Sequence, residues 1–594
     1  MITYTCPKCG ISSERSVCGK CSGRTDAESH LYWCPTCKVP LYGNNCENCG
    51  QEGVEFVADV RPVFPEERLL IEVLLGKPLA FIDGSVWASA GDRYYVDGKK
   101  IVFSTIKHSE ADADEVRRQW NEWSSRNYYE AFDRCAKRFI KANRTRLDYI
   151  EMEAMQYIQE AAKGFDAGTM FVSFSGGKDS TVVSDLVMRA LGRSDVLHIF
   201  GNTTLEFPQT IDYVSAFRKD HPTTPILRAE NRQQDFYTLC DLFGPPSRML
   251  RWCCTIFKTG YIGDKIKRTF ADAKQVLVFN GIRRNESTSR SKYDRDNTSP
   301  KISKQKTASP IIDWFDFDIW LYLLSRKIRF NEAYRLGYSR VGCWMCPNNN
   351  RWAQFLSRVY LPEESERFNR MLYDFAVKLG KTDPEEYVRN NGWKARSGGA
   401  GVELSKKVAI DFKPCATDSK SFLYELNRPI TQELYEFFKP FGILNFDMGN
   451  ARLGEVYVLD AYKKVPLLKL QGRQGTNTLR ITVMSTPVAG RIKMVEIDQK
   501  LKCQITKYQM CVGCHACENA CRFNAITLIK RGQDDSDYQY RVDEKKCVHC
   551  FECISHYNGG CYMRRVLLPR GKVMHNHVKC EIQQTRPRPH SGDH

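Results

Sequence analysis

The chain has 594 residues, 42% of them hydrophobic, which is too long for one core, since single cores rarely grow beyond about 250–300 residues. Its 88 Lys and Arg against 70 Asp and Glu leave a formal charge of +18, which suits an anionic partner such as a nucleotide, a nucleic acid or an acidic redox protein. No run approaches the ~18 apolar residues of a membrane helix, and the opening Met1-Ile2-Thr3-Tyr4-Thr5-Cys6 lacks the basic start and apolar stretch of a signal peptide, so a cytoplasmic protein with no membrane partner is expected.

Twenty of the 25 cysteines fall into CxxC-type or adjacent-Cys groups, a spacing that in a reducing compartment reads as metal ligation rather than disulfides. In residues 1–50 the set Cys6, Cys9, Cys18 and Cys21 recurs as Cys34, Cys37, Cys46 and Cys49. Gly and Pro permit the tight knuckle that points two thiolates at one ion. Two four-cysteine sites follow, as in a double zinc ribbon. Two zinc ions are expected, with mononuclear iron the chemical alternative.

Residues 51–165 read as a small β unit and a helical linker. Val54–Val60 and Tyr94–Thr105 alternate as strands around an Asp97-Gly98 turn, and a helical pattern runs from about 110 to 164. No catalytic constellation stands out there. Residues 166–405 alternate strand and helix: Met170–Phe174 is an apolar strand, Thr181–Leu191 a helix, Val196–Phe200 and Val276–Phe279 further strands, with a helical extension from 351. That rhythm predicts a doubly wound parallel α/β sheet. Residues 406–500 read as an α+β unit without an evident role, 501–562 as a ferredoxin-like module and 563–594 as a basic tail. The whole is a multidomain chain.

Strand Met170–Phe174 runs into Ser175-Gly176-Gly177-Lys178-Asp179-Ser180, which opens a helix. Two glycines let backbone amides approach a phosphate, the helix start favours an anion, Lys178 adds a point charge, and Ser175 and Ser180 add hydroxyls. The spacing is not that of a GxxxxGK[ST] loop.

This segment resembles the PP-loop ATP pyrophosphatases, and roughly residues 145–360 are similar to the phosphoadenosine phosphosulfate (PAPS) reductase family. Gly201-Asn202-Thr203-Thr204-Leu205-Glu206-Phe207-Pro208-Gln209-Thr210 resembles that family's second-strand motif. Gly281-Ile282-Arg283-Arg284 resembles its arginine motif, Pro310–Trp314 with Asp318-Ile319-Trp320 its next segment, and Asn331 through Gly342 the approach to its Cys motif. The resemblance implies an adenine nucleotide α-hydrolase-like fold binding ATP with Mg through Ser175, Gly176, Gly177, Lys178, Asp179, Ser180, Asn202, Gly281, Arg283 and Arg284. Lys178, Asp179, Arg283 and Arg284 would be catalytic. Two features depart from sulfonucleotide reductases. The loop is intact where theirs is usually degenerate, and no Glu-Cys-Gly-x-His motif is present; Cys580 is followed by Glu581-Ile582.

Cys253-Cys254 and Cys343-Trp344-Met345-Cys346 are similar to the [4Fe-4S] ligand set of adenosine phosphosulfate (APS) reductases. Structural zinc is the alternative. Between Ile282 and Ser309 a basic arm with Arg290, Lys292, Arg295, Lys301, Lys304 and Lys306 reads as a lid over a phosphate-rich substrate. Cys511, Cys514, Cys517 and Cys521, followed by Cys547, Cys550, Cys553 and Cys561, resemble a bacterial-type ferredoxin with two [4Fe-4S] clusters. There the fourth Cys of each run serves the other cluster: Cys561 joins Cys511, Cys514 and Cys517, and Cys521 joins Cys547, Cys550 and Cys553. An external electron donor is implied.

The first functional expectation is an ATP pyrophosphatase that adenylates an acceptor for sulfur insertion. Its acceptor is left open, with nucleic acid a candidate; its sulfur would come from a donor such as a cysteine desulfurase, and its electrons from the ferredoxin clusters. The second is a PAPS/APS reductase that makes sulfite. The third, non-enzymatic, is a redox-sensing nucleic-acid-binding protein.

Overall fold

The computed structural model describes residues 2–567 except 7, 14–17, 22–25, 92, 287–289, 292, 299–304, 401, 409, 486–493, 534–536 and 556–560. Most of the basic tail, Cys580, and Lys292, Lys301 and Lys304 of the predicted lid lie outside the described residues. Among the described residues no helix is long and apolar enough to cross a membrane.

The centre is a six-stranded sheet. Its strands are β1 (Met170–Phe174), β2 (Leu197–Asn202), β3 (Ile226–Glu230), β4 (Val276–Phe279), β5 (Asp296–Thr298) and β6 (Gln305–Ala308), in the order β3-β2-β1-β4-β6-β5. All neighbours are parallel except β5 and β6. β1 is buried at every position but Ser173, the continuous apolar run of a strand covered on both faces. β1 lies between β2 and β4, so chain order reverses there, and ligands of open α/β sheets bind at the carboxyl ends flanking such a reversal. Helix α1 (Lys178–Leu191) starts after Gly177 and ends at Gly192 in the left-handed region, φ 63°, the usual glycine stop. Its Val182, Val183, Leu186 and Val187 are fully buried. Helix α2 (Gly260–Thr269) lies on the sheet through Ile266, which packs in one apolar cluster with Ile199 of β2 and Ala229 of β3. Part of the predicted basic arm is sheet: β5 and β6 form the edge, and Arg295 pairs with Glu153 and stacks on Tyr157.

The 51–165 segment is built into this domain. A four-stranded sheet ends in a turn where Asp97 and Gly98 take φ 51° and 82°, a primed hairpin turn. The strand expected over Tyr94–Thr105 is shorter, because Ser104 caps a helical turn at Thr105–His108. Helix Arg144–Ala162 lies on α1 and on α3 (Asp316–Ser325), and Arg146 forks onto Asp318 at 2.9 and 2.8 Å in the interior. The second N-terminal knuckle joins the same core through Leu31, Trp33, Cys34 and Cys46.

Residues 406–500 contain a six-stranded antiparallel sheet running from Asp411–Cys415 to Thr478–Val483. The expected boundary at 500/501 falls inside helix α4 (Met494–Met510). The reason is packing: Ile497, Leu501, Ile505 and Tyr508 are buried in one cluster with Val458 and Leu470 of the sheet and with Tyr540 and Ile554 of the ferredoxin-like module. Sheet and module share a core through that helix.

Candidate active site

Ser175–Ser180 link β1 to α1 at the carboxyl edge of the sheet. Gly176 takes φ +71°, with Thr210 Cγ2 only 3.0 Å from where a Cβ would stand, so both conformation and space call for glycine. Ser180 Oγ donates to Gly177 O at 2.9 Å. Asn331 donates to Gly176 O at 3.2 Å, and the Tyr334 hydroxyl accepts the Lys178 N–H at 3.0 Å. The loop is therefore braced by residues far along the chain. Gly281, just after β4, lets that crossing pass over the start of α1: a Cβ there would sit 2.7 Å from the Asp179 carbonyl carbon.

Lys178 is 3% exposed. Its Nζ lies 3.3 Å from both Asp179 and Asp316, and Arg283 binds Asp179 and, at 2.8 Å, Asp316. Burial alone would raise both carboxyls, but Lys178 and Arg283 hold Asp316 well below the usual range, and Arg283 with Lys178 does the same for Asp179. Asp59, from the N-terminal segment, reaches into this cluster. It caps α3 by accepting from the Asp316 and Phe317 N–H groups at 2.9 and 3.0 Å. Burial, then the Asp316 charge, pushes its carboxyl up to about 7.

Arg284 is not brought to the loop. It turns outward to Asp313 and the Tyr293 carbonyl and is part exposed. Its neighbour Arg283 takes the inward position because the chain bends after it into a short helical turn, with Arg284 N–H held by Ile312 O. Asn202, at the end of β2, is buried and caps its own turn through Thr204 N–H at 3.1 Å.

The four mid-chain cysteines do meet. Cys343 bridges to Glu206, on the segment after β2, and Trp344 N–H donates to Leu205 O at 3.1 Å. Thr203 Oγ1 lies 3.3 Å from Cys343 Sγ. The Cys253 thiol is hydrogen-bonded to Cys254, is buried, and feels Cys343 and Cys346; these contacts push it well up. Lys258 stands beside them, with part of its side chain exposed. Burial would lower it, yet Glu206 with Cys343, Cys254 and Cys346 hold it above its ordinary value.

In each N-terminal quartet all four Sγ atoms lie within 4.8 Å of one another, with Cys6–Cys21 at 3.6 Å and Cys34–Cys49 at 3.5 Å. A tetrahedron of ~2.3 Å Zn–S bonds has edges of about 3.8 Å, so each quartet fits one metal ion. In the C-terminal module Cys561 neighbours Cys511, Cys514 and Cys517, whose thiols burial and mutual charge raise. Cys521 neighbours Cys547 and Cys553. Gly513, His515, His549 and Phe551 take positive φ, the backbone alternation that turns successive N–H groups toward an anion. Lys507 is buried between the sets. Burial would lower it, but Cys503, Cys517, Cys553 and Cys561 hold it well above its usual range, and its Nζ donates to Cys553 O at 2.9 Å.

Asp59, Glu206, Asp316, Tyr334 and Lys507 were not legible as site residues. Glu206, Asp316 and Tyr334 carried a signal, lying within or beside motif segments.

Residues 169–349 match the model of the phosphoadenosine phosphosulfate reductase domain, and 510–556 that of the 4Fe-4S dicluster domain. An uncharacterized protein of Methanocaldococcus jannaschii is 33% identical over 270 residues, 45% of this chain and 53% of that one. A second from the same organism is 31% identical over 215 residues, 35% of this chain and 49% of that one. The chain thus spans about half the length of these curated relatives. The adenosine 5'-phosphosulfate reductase of Neisseria meningitidis serogroup A is 26% identical over 179 residues, 28% of this chain and 67% of that one. The crystal structure of PAPS reductase from Candida auris aligns at 17% identity over 34% of this chain and 95% of that one, with a TM-score of 0.27, too low to inform function. The chain thus carries a PAPS reductase domain at 169–349, joined to a 4Fe-4S dicluster domain at 510–556 and preceded by two four-cysteine sites able to bind metal.

Proposed function

We propose that this protein reduces a sulfonucleotide, APS or PAPS, to sulfite and AMP (or its 3'-phosphate) with electrons supplied through its own ferredoxin-like module. One observation carries the reading: Cys253, Cys254, Cys343 and Cys346 converge against the Thr203–Glu206 segment at the carboxyl edge of the sheet, the same edge that holds the PP-loop. A set of four thiols, with no imidazole or carboxylate in it, suits a [4Fe-4S] cluster. The likeness to adenosine 5'-phosphosulfate reductases points the same way. In the reaction the bond between sulfur and the phosphate oxygen breaks, sulfur leaves as sulfite having gained two electrons, and the nucleotide retains the oxygen.

The chain's own residues have distinct tasks in this reading. The loop amides at Gly176 and Gly177 and the Lys178 and Arg283 cations bind and orient the phosphate end of the nucleotide. Asp179 and Asp316 hold those cations in place. Lys258 keeps a positive charge against the thiols. A cluster held by Cys253, Cys254, Cys343 and Cys346 would supply a charge centre able to take up an electron. The twin N-terminal quartets hold zinc, and Cys511–Cys561 with Cys521–Cys553 hold two [4Fe-4S] clusters fed by an external donor.

A second reading is favoured by the intact loop, with Lys178 and Ser180 both in place. In it ATP with Mg activates an acceptor, nucleic acid included, for sulfur insertion. Anaerobically purified protein separates the two readings. Sulfite released from APS or PAPS with a reduced low-potential carrier supports reduction. Pyrophosphate released from ATP without sulfite formation supports the second reading and removes the first.

A further inference from the structure

The first cysteine loop of the ferredoxin-like module is seated on the reductase domain through helix α2. The residues after Cys253-Cys254 form a π-helical turn, Cys254–Thr259, that runs straight into helix α2. That helix faces the module's first cysteine loop. A Cβ on Gly260 would lie 3.5 Å from the Cys514 carbonyl oxygen and 2.9 Å from Thr255 O. Asn519 donates to Gly260 O at 3.1 Å, and Lys267 donates to Glu518 O at 2.7 Å and Cys521 O at 3.2 Å. Gln234 donates to Val512 O at 3.1 Å, which fixes the same loop from the other side.

Across this seat two residues meet that are each covalently next to a cysteine of interest. Thr255 follows Cys254, Tyr562 follows Cys561, and their side chains are hydrogen-bonded; Tyr562 also lies within the field of Cys253, Cys254 and Cys514. Cys253, Cys254, Cys514, Cys561 and Tyr562 belong to one apolar cluster. The other cysteine set of the module reaches the surface. Cys550 is exposed, as are Val548 and Phe523 beside it.

We propose that the Thr255–Tyr562 contact is the electronic junction between the Cys511/Cys514/Cys517/Cys561 site and the Cys253/Cys254/Cys343/Cys346 site. Electrons then enter one at a time at the exposed Cys550 end from a low-potential one-electron carrier and leave at Tyr562. At the junction one electron passes: the ferredoxin-side site is oxidised by one unit and the domain site reduced by one. A largely buried contact keeps the path short and excludes competing oxidants. The inference rests on the reading of the mid-chain quartet as a cluster site.

Electron paramagnetic resonance of the dithionite-reduced, full-length holoprotein tests it, together with its iron content. Three clusters' worth of iron and a spin–spin-broadened signal are expected. The part of that broadening due to the domain site is lost in Cys254→Ser, while the ferredoxin signals persist. Tyr562→Phe keeps every thiol, so it is expected to retain three clusters but to slow reduction of the domain site several-fold in stopped-flow absorbance. Three clusters with no coupling, or an unchanged rate in Tyr562→Phe, overturns the junction alone. Iron for only two clusters overturns the quartet reading and the junction with it.

Discussion

Lys178 Nζ lies 3.3 Å from Asp316 in the interior of the loop, although 138 residues separate the two in sequence. With Asp179 on its other side, the lysine is held by carboxylates whose grip an incoming phosphate must share. Removing one partner of a buried, hydrogen-bonded pair costs ~3–5 kcal/mol because the other charge is left uncompensated. Lys178→Ala is therefore expected both to lower the melting temperature and to weaken adenine-nucleotide binding by more than tenfold. Differential scanning fluorimetry and isothermal titration calorimetry check the two effects.

The paired arginines are expected to separate sharply. Arg283 is 3% exposed and bridges Asp179 and Asp316; Arg284 pairs with a part-exposed Asp313. Exposed pairs contribute ~0–1 kcal/mol. Arg283→Ala should lose nucleotide binding and stability together, whereas Arg284→Ala should keep both within about twofold and ~1 kcal/mol. Equal losses in calorimetry would remove the assignment of Arg283 as the inward residue.

Gly281→Ala tests the crossing over α1. A methyl at 2.7 Å from the Asp179 carbonyl carbon meets backbone, not a flexible side chain, so the β4 loop or the PP-loop must move. Nucleotide affinity is expected to fall at least tenfold while cluster absorbance stays unchanged.

Asp59 links stability to pH. Its carboxyl is near the ordinary carboxylate value when unfolded and about 7 when folded, so the folded state binds the proton more tightly. Stability then falls as pH rises from about 4 to about 7 and is flat above. Between about pH 5.5 and 7.5 the melting temperature of the wild type should drop, and Asp59→Asn, which keeps an acceptor for α3 but cannot ionise, should flatten that slope. A slope as steep in the variant would contradict the assignment.

The two knuckles should differ. Cys34, Cys37 and Cys46 are part of the main core, and no cysteine of the first quartet is in that cluster. Cys34→Ser should release one metal ion and lower the melting temperature by several degrees, since buried packing is lost with the ligand. Cys6→Ser should release one ion with little thermal effect. Inductively coupled plasma analysis with fluorimetry distinguishes them.

Local chemistry was readable from the residues in order. The knuckles, the strand–loop–helix around Gly176-Gly177, and the eight-cysteine run from Cys511 to Cys561 each need only turn residues and ligands at fixed spacing, and such spacing survives in the linear chain. Alternation of strand and helix gave the parallel sheet for the same reason. What tertiary structure alone decided are the charges and contacts between distant segments. Nothing in the pattern around Asp59 marks it as a cap on α3, because the two backbone N–H groups it caps there are 257 and 258 residues away. The boundary at 500/501 could not be read, because Met494–Met510 is amphipathic toward two units at once. Arg283 and Arg284 are the same residue type side by side, and only the bend after Arg283 settles which one faces Lys178. The two cysteine sets declared themselves in sequence; that Thr255 and Tyr562 meet between them is a property of how helix α2 seats the module.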